Sequence, residues 1–255
     1  MGLWNSGLEV RARRALDRQL EYQRRKAAQL KGREQEVISW MVAHSREVRR
    51  LLDDVRPIPS DTRILEVGCG AHGLIFFFGA QNGIGLDPLA QHYAKLFPAW
   101  QGRALTISAT GESLPLRDES FDIVLCDNVV DHAKNPRRII EEIARVLAPG
   151  GMLYFEVNIH HRIYHDAASL HAYWRALGIS FEITPFADHT VHLTLDAARA
   201  LFRGLPLRVV RETNEIQQAK QHSSARPIRH AGDWLKRFFF KNARYEVIAI
   251  REPVT

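Results

Sequence analysis

Residues 64–88 read ILEVGCGAHGLIFFFGAQNGIGLDP. Two short apolar runs, RILEV (63–67) and GIGLD (83–87), bracket a glycine-rich turn. Gly68, Gly70 and Gly73 fall in G-x-G-x-x-G spacing directly after the first run, where backbone without Cβ atoms can approach a ligand closely. Taken alone, that spacing fits either a dinucleotide fingerprint or an ordinary tight turn. FFFGA (76–80) is expected in a core helix that follows the turn. Glu66 narrows the choice of ligand: a carboxylate at the strand end repels a pyrophosphate and suits a group bearing an ammonium. Asp87 ends the second run 19 residues after Gly68, the place of an acid that accepts hydrogen bonds from ribose hydroxyls.

Downstream, apolar runs keep alternating with segments of helical character. ALTIS (104–108), FDIVLCD (121–127), MLYFEVN (152–158), LRVVRETNEI (207–216) and RYEVIAIRE (244–252) bring the strands to seven. Near-continuous apolar strands suit a parallel sheet covered on both faces. Asn135-Pro136 supplies an N-cap and a first-turn proline ahead of Ile139, Ile140, Ile143 and Val146, and Pro149-Gly150-Gly151 closes that helix. Upstream, residues 8–30 form a basic helix with a thin apolar stripe. A second helix carries Val37, Met41, Val48, Leu51, Leu52 and Val55 at helical spacing until Pro57 and Pro59 end it. The expected organisation is a helical N-terminal extension over residues 1–59 and an α/β domain over 60–255, with acceptor cap and insertions at about 159–206 and 217–243.

The 255 residues suit one domain with additions, and a 45% hydrophobic, 25% charged composition suits a chain with a full core. No apolar run is long enough to span a membrane, and the arginine-rich start does not resemble a signal peptide. Cys69 and Cys126 lie in apolar contexts, which reads as reduced thiols and a cytoplasmic setting. The net charge of +6 is uneven. Residues 8–56 carry 13 Lys/Arg against 8 Asp/Glu, residues 57–198 carry 10 against 16, and residues 199–244 carry 11 against 3. The basic flanks either lie against the chain's own acidic middle or attract an anionic substrate, a nucleic acid or a membrane surface. In AGDWLKRFFFK (231–241) aromatic and basic residues alternate, as in a packed crossing helix or one that lies on a lipid surface.

LEVGCG, GLDP, GESLPL, SFDIVLCDNVVDH and RVLAPGG follow one another in the order and spacing of the class I methyltransferases that act on small molecules. The chain resembles that family over residues 60–158 or so. The resemblance implies a Rossmann-like, seven-stranded, mostly parallel sheet with helices on both faces, and S-adenosyl-L-methionine as cofactor. It implies that Glu66 and the turn of Gly68, Cys69 and Gly70 lie under the methionine part of the cofactor, and that Asp87 binds the ribose. Pro88 and Leu89 would flank the adenine, with Thr110, Gly111 and Glu112 at its edge. Asp127 and Asn128 would lie near the transferring methyl group. The family often carries an aspartate where Thr110 stands, and a hydroxyl is the weaker acceptor.

A sulfonium methyl is already activated, so the protein's task is to align a nucleophile and exclude water. An oxygen acceptor needs a base, for which histidine is suited. His132 follows the fourth strand and His161 the fifth, both at the carboxyl edge of the sheet, and these are the expected catalytic histidines. His161 and His165 share a helical spacing but lack a third ligand, so no metal is expected. His189 and His192 are candidates for acceptor contact. Tyr164, Tyr173, Trp174 and Phe186 are either cap packing or an acceptor-pocket wall. The expected reaction is methyl transfer to a small-molecule acceptor, at oxygen. Three rivals stand beside it. A nucleic-acid methyltransferase is favoured by the basic flanks, but Asp127-Asn128-Val129-Val130 is not an Asn-Pro-Pro-Tyr-like loop. Intact Glu66, Gly68, Gly70 and Asp87 argue against a silent binding protein. Glu66 and the LAPGG turn argue against a nicotinamide dehydrogenase.

Overall fold

The chain is described by a computed structural model covering residues 2–163, 191–225, 240 and 242–253, with side chains from Leu16 onward. Two helices, α1 (Gly2–Leu30) and α2 (Glu34–Asp53), precede β1 (Arg63–Val67) and β2 (Asn82–Leu86). Then come α3 (Ala90–Leu96), α4 (Pro98–Gln101), β3 (Leu105–Ile107), β4 (Phe121–Asp127), α5 (Pro136–Val146) and β5 (Leu147–Ile159). The described chain ends with α6 (Leu195–Ala200), β6 (Leu207–Asn214), α7 (Ile216–Ser224) and β7 (Ala243–Arg251).

The seven strands form one sheet in the order β3-β2-β1-β4-β5-β7-β6. Six run parallel, and β7 runs antiparallel between β5 and β6. All seven expected strands are present within a residue or two at their ends, apart from the early start of β5. There the LAPGG turn joins β5 through a register break, because Phe121 pairs with Leu147 and Ile123 pairs next with Met152. The strand order reverses between β1 and β4, and in open α/β sheets ligands bind above such a point, at the carboxyl ends of the strands.

Side-chain alternation divides the core into two layers. On one face Leu65, Val67, Val124, Cys126, Phe155, Val157 and Val247 pack with Ile139, Ile140, Ile143 and Val146 of α5. Asn135 caps α5 by accepting from the Arg138 N–H at 3.2 Å, as its position before Pro136 predicts. On the other face Ile64, Ile123, Leu125, Met152, Tyr154 and Ile248 meet Met41, Val48, Leu51 and Leu52 of α2. Each of these four α2 side chains contributes about 1.5–3 kcal/mol by leaving water. The second helix is therefore the cover of one sheet face.

One expectation fails here. FFFGA (76–80) is not helical: the crossover from β1 to β2 holds a single 3-10 turn, Leu74–Phe76, and no α-helix. Leu74, Ile75, Phe76 and Phe78 are all buried, which leaves a helix no side to turn toward water. Gly79, at φ +75°, breaks the run. Two carbonyls of the run are met by α2. Ser45 Oγ donates to the Leu74 carbonyl at 3.0 Å, and Arg49 donates to the Phe78 carbonyl at 2.9 Å.

His165, His189, Tyr164, Tyr173, Trp174 and Phe186 lie outside the described residues, as does the segment 231–241 apart from Phe240. Among the described residues no helix is long and apolar enough to cross a membrane.

Candidate functional site

At the carboxyl ends of β1 and β2 the chain makes the turn that the glycines announce. Gly68 and Gly70 adopt φ of +72° and +52°, a region L side chains rarely enter. A Cβ on Gly68 would lie 2.4 Å from a methyl of Val129. The Gly68 and Cys69 N–H groups both donate to the Leu86 carbonyl, at 2.6 and 3.0 Å, which ties the turn to β2. The Cys69 side chain packs back against Gly85, and burial pushes its thiol well above the ordinary range. Only its backbone is left to meet a ligand.

Asp87 sits just past β2 and organises the same turn. Its carboxylate accepts from the Gly70 N–H at 3.1 Å and from the Leu89 N–H at 2.7 Å. Burial raises its pKa, while those two hydrogen bonds and the charge of His132 pull it down. His132 ends a 3-10 turn after β4 and is exposed, with Nε2 3.9 Å from buried Asp131. Pro88 is half-buried and Leu89 buried beside Asp87. Thr110 is exposed, and Gly111 passes so close to β1 that a Cβ there would lie 2.8 Å from Val67. Glu112 accepts from the Asn135 N–H at 2.6 Å, so it joins the adenine-edge loop to the start of α5.

Glu66 has a different environment from the one its position suggests. It is 2% exposed, and its two oxygens accept from the Leu74 and Ile75 N–H groups at 3.0 and 2.8 Å. Burial pushes its pKa up to about 8 against the pull of those hydrogen bonds, with Asp127 adding to the rise. Its carboxyl secures the 3-10 turn under the glycine loop, and a Cβ on Gly73 would lie 2.5 Å from it.

At the end of β4, Asp127 and Asn128 diverge. Asn128, at φ +54°, accepts from Asn158 at 2.8 Å. Asp127 Oδ2 lies 2.8 Å from Nε2 of His44, which α2 delivers to this edge. Trp40, 58% exposed, stacks on the His44 ring with centroids 5.6 Å apart. The hydrogen bond to Asp127 raises the His44 pKa against the cost of burial. Glu156 is the partner of Asp127 on the neighbouring strand, and Glu246 is the partner of Glu156 on the next. Tyr154 Oη lies within donating reach of both Glu156 and Glu246, at 3.0 and 3.2 Å. Burial and the Asp127 charge push Glu156 up to about 7, opposed by Arg244. Beyond Glu156 opens a cavity of about 530 Å³, lined by Asn158, Glu215, His222, Asn242 and Arg244 among others.

The structure thus brings Gly68, Gly70, Asp87 and Leu89 together at the head of β1 and β2. Asp127 and Asn128 come in from β4. His161 stands apart, edge-on to Phe240 at 5.5 Å, with its pKa lowered by burial and by Lys220. His192 packs edge-on against buried His160. Sequence reasoning missed His44 and Glu156. Both left a trace: a histidine three residues after Met41 on an apolar helix face, and an acid inside the apolar run MLYFEVN.

Residues 65–155 match the family described as "Methyltransferase domain". The thiol S-methyltransferase TMT1B of Rattus norvegicus is 30% identical over 122 residues, 45% of this chain and 50% of that protein. An uncharacterised protein of Methanocaldococcus jannaschii is 39% identical over 98 residues, 38% of this chain and 45% of that one. The match therefore spans about half the length of these curated relatives. Among solved structures, a geranyl diphosphate methyltransferase in complex with S-adenosylmethionine superposes with a TM-score of 0.57 at 12% identity, over 81% of this chain and 85% of that one. With the strand order, the turn at Gly68–Gly70 and the Asp87 anchor, these matches identify residues 65–155 as a methyltransferase domain within a sheet of the class I, Rossmann-like fold.

Proposed function

We propose that this chain binds S-adenosylmethionine over the Gly68–Gly70 turn and transfers its methyl group to a small-molecule acceptor, at oxygen. One observation carries the reading: the left-handed turn and the Asp87 carboxylate meet at the carboxyl ends of β1 and β2, at the reversal of strand order. In this reading Asp87 keeps the turn in shape and offers its outward lone pairs to the ribose. Backbone groups of Gly68, Cys69 and Gly70 face the methionine part, Pro88 and Leu89 flank the adenine, and Gly111 and Glu112 shape the adenine edge. Thr110 supplies a hydroxyl there, and His132, exposed after β4, is a candidate base at the same edge.

The acceptor enters from the side of β5 and β7, where the cavity of about 530 Å³ has room for a small molecule. Its oxygen lone pair attacks the methyl carbon. The carbon–sulfur bond breaks as the carbon–oxygen bond forms, and the electron pair stays on sulfur. The acceptor's proton leaves toward the cluster of His44, Asp127 and Glu156. Glu215 and Arg244 in the cavity wall favour a polar acceptor. A second reading, sulfur as the acceptor atom, is favoured by the name of the rat relative.

The test is methyl transfer from cofactor labelled in the methyl group, offered phenols, carboxylic acids and thiols in turn. Label in an ether or ester product supports the reading. Label only in thioether products moves the acceptor atom to sulfur. Transfer to RNA and to no small molecule would overturn it.

A further inference from the structure

Asp127, Glu156 and Glu246 occupy matching positions on β4, β5 and β7, so three carboxylates stand side by side on the α2 face of the sheet. Like charges directly opposite on neighbouring strands oppose one another. Among the described residues, what offsets them is modest. The one Tyr154 hydroxyl proton is within reach of both Glu156 and Glu246, and Thr213 reaches Glu246 at 3.3 Å. Arg244 lies 3.6 Å from Glu156 but is shared with Glu215 at 3.3 Å. The fourth participant comes from outside the sheet: α2 points Nε2 of His44 at Asp127 Oδ2.

The His44, Asp127 and Glu156 donor atoms all lie within 4.8 Å of one another. Ligands about 2.1 Å from one ion stand roughly 3–4 Å apart, so small side-chain rotations close the set. We infer that His44 Nε2 and the carboxylates of Asp127 and Glu156 form a binding site for one divalent first-row transition ion of the Mn²⁺ or Zn²⁺ kind. One imidazole and two carboxylates are a mixed nitrogen and oxygen set, which suits these ions better than Mg²⁺. Three protein ligands leave coordination positions for water or for an acceptor oxygen. Around the set, Trp40 stacks on the His44 ring, and Tyr154 is within donating reach of Glu156. The ion takes the place of the proton between His44 and Asp127, which passes to solvent.

The site rests on the proposed function and deepens its acceptor side: Glu156 lines the cavity, and with the ion bound an acceptor hydroxyl would be acidified on it and lose its proton to solvent, not to the three ligands. Its test needs neither cofactor nor acceptor. The full chain is dialysed against a chelator and titrated with Mn²⁺, and the free ion is followed by electron paramagnetic resonance. One ion per chain is expected. Pulsed spectra of the bound ion should show coupling to an imidazole nitrogen, a readout that needs no substitution. His44→Gln and Glu156→Gln should each weaken binding about tenfold or more, and His92→Gln, at an exposed site on α3, should leave it unchanged. No binding up to about 1 mM, no nitrogen coupling, or wild-type affinity in either variant would overturn the site. A protein that binds S-adenosylmethionine but no Mn²⁺ sinks this inference alone. One that binds Mn²⁺ but no S-adenosylmethionine sinks the functional reading alone.

Discussion

Gly68 shows how closely this site depends on single atoms. Its φ of +72° disfavours any side chain, and an added Cβ would strike Val129, whose β-branched side chain has little freedom to turn away. Gly68→Ala should cost about 2 kcal/mol or more and open the turn, lowering the melting temperature by several degrees. An unchanged melting temperature would show that the turn relaxes freely. Glu66 and His72 set opposite slopes of stability with pH. Glu66 titrates near 8 when folded and about 4.5 when unfolded, so the folded state holds the extra proton between those values. That contribution is fully present below about 4.5 and lost as pH rises through 8. Glu66→Gln should flatten the decline in thermal midpoint between about pH 4.5 and pH 8. His72, packed against Phe97 and Trp100, is pushed down to about 4 by burial. The unfolded chain takes its proton first, so stability falls as pH drops from about 6.5 toward 4. His72→Phe should lessen that acid-side loss, measured by denaturant melts at several pH values. The sequence announced the glycines and Asp87 because turn geometry demands particular residue types. It pointed Glu66 at the ligand, whereas the carboxyl is spent on the N–H groups of Leu74 and Ile75, which lie far enough along the chain to hide the partnership.

Among the elements, α2 has the largest consequence. Met41, Val48, Leu51 and Leu52 cover one sheet face, and the same helix brings His44 to the site. Leu52 is fully buried, so Leu52→Ala should destabilise the protein by about 2–5 kcal/mol in a denaturant melt. A loss under about 1 kcal/mol would mean that α2 is held mainly by its polar contacts. The helical period of α2 was legible, as was the cap of α5 at Asn135. The docking of α2 was not, because an apolar stripe says that a face is buried and not against what. The same ambiguity explains FFFGA: an all-apolar run fits a buried helix or a buried turn equally well by periodicity. The chain resolves it by letting α2 satisfy carbonyls of that turn.

Over the whole molecule, the seven strands and their mostly parallel run follow from apolar stretches that alternate with helical segments, and these were legible in the sequence. The acceptor side was not. The residues that enclose the cavity come from β5, α7 and β7, whose neighbourhood in space depends on β7 inserting between β5 and β6. No local spacing relates Glu156 to Arg244, 88 positions later. Cofactor that binds only the folded chain should raise its stability by about 2.7 kcal/mol at one hundred times the dissociation constant, visible as a thermal shift. Calorimetric titration of the full chain with S-adenosylmethionine and with its demethylated product, beside Asp87→Ala, tests the cofactor site most directly. One cofactor per chain is expected, bound more weakly by about tenfold or more once Asp87 no longer holds the Gly70 and Leu89 N–H groups. Folded protein that binds neither ligand, or an Asp87→Ala chain that binds as tightly as the wild type, would contradict it.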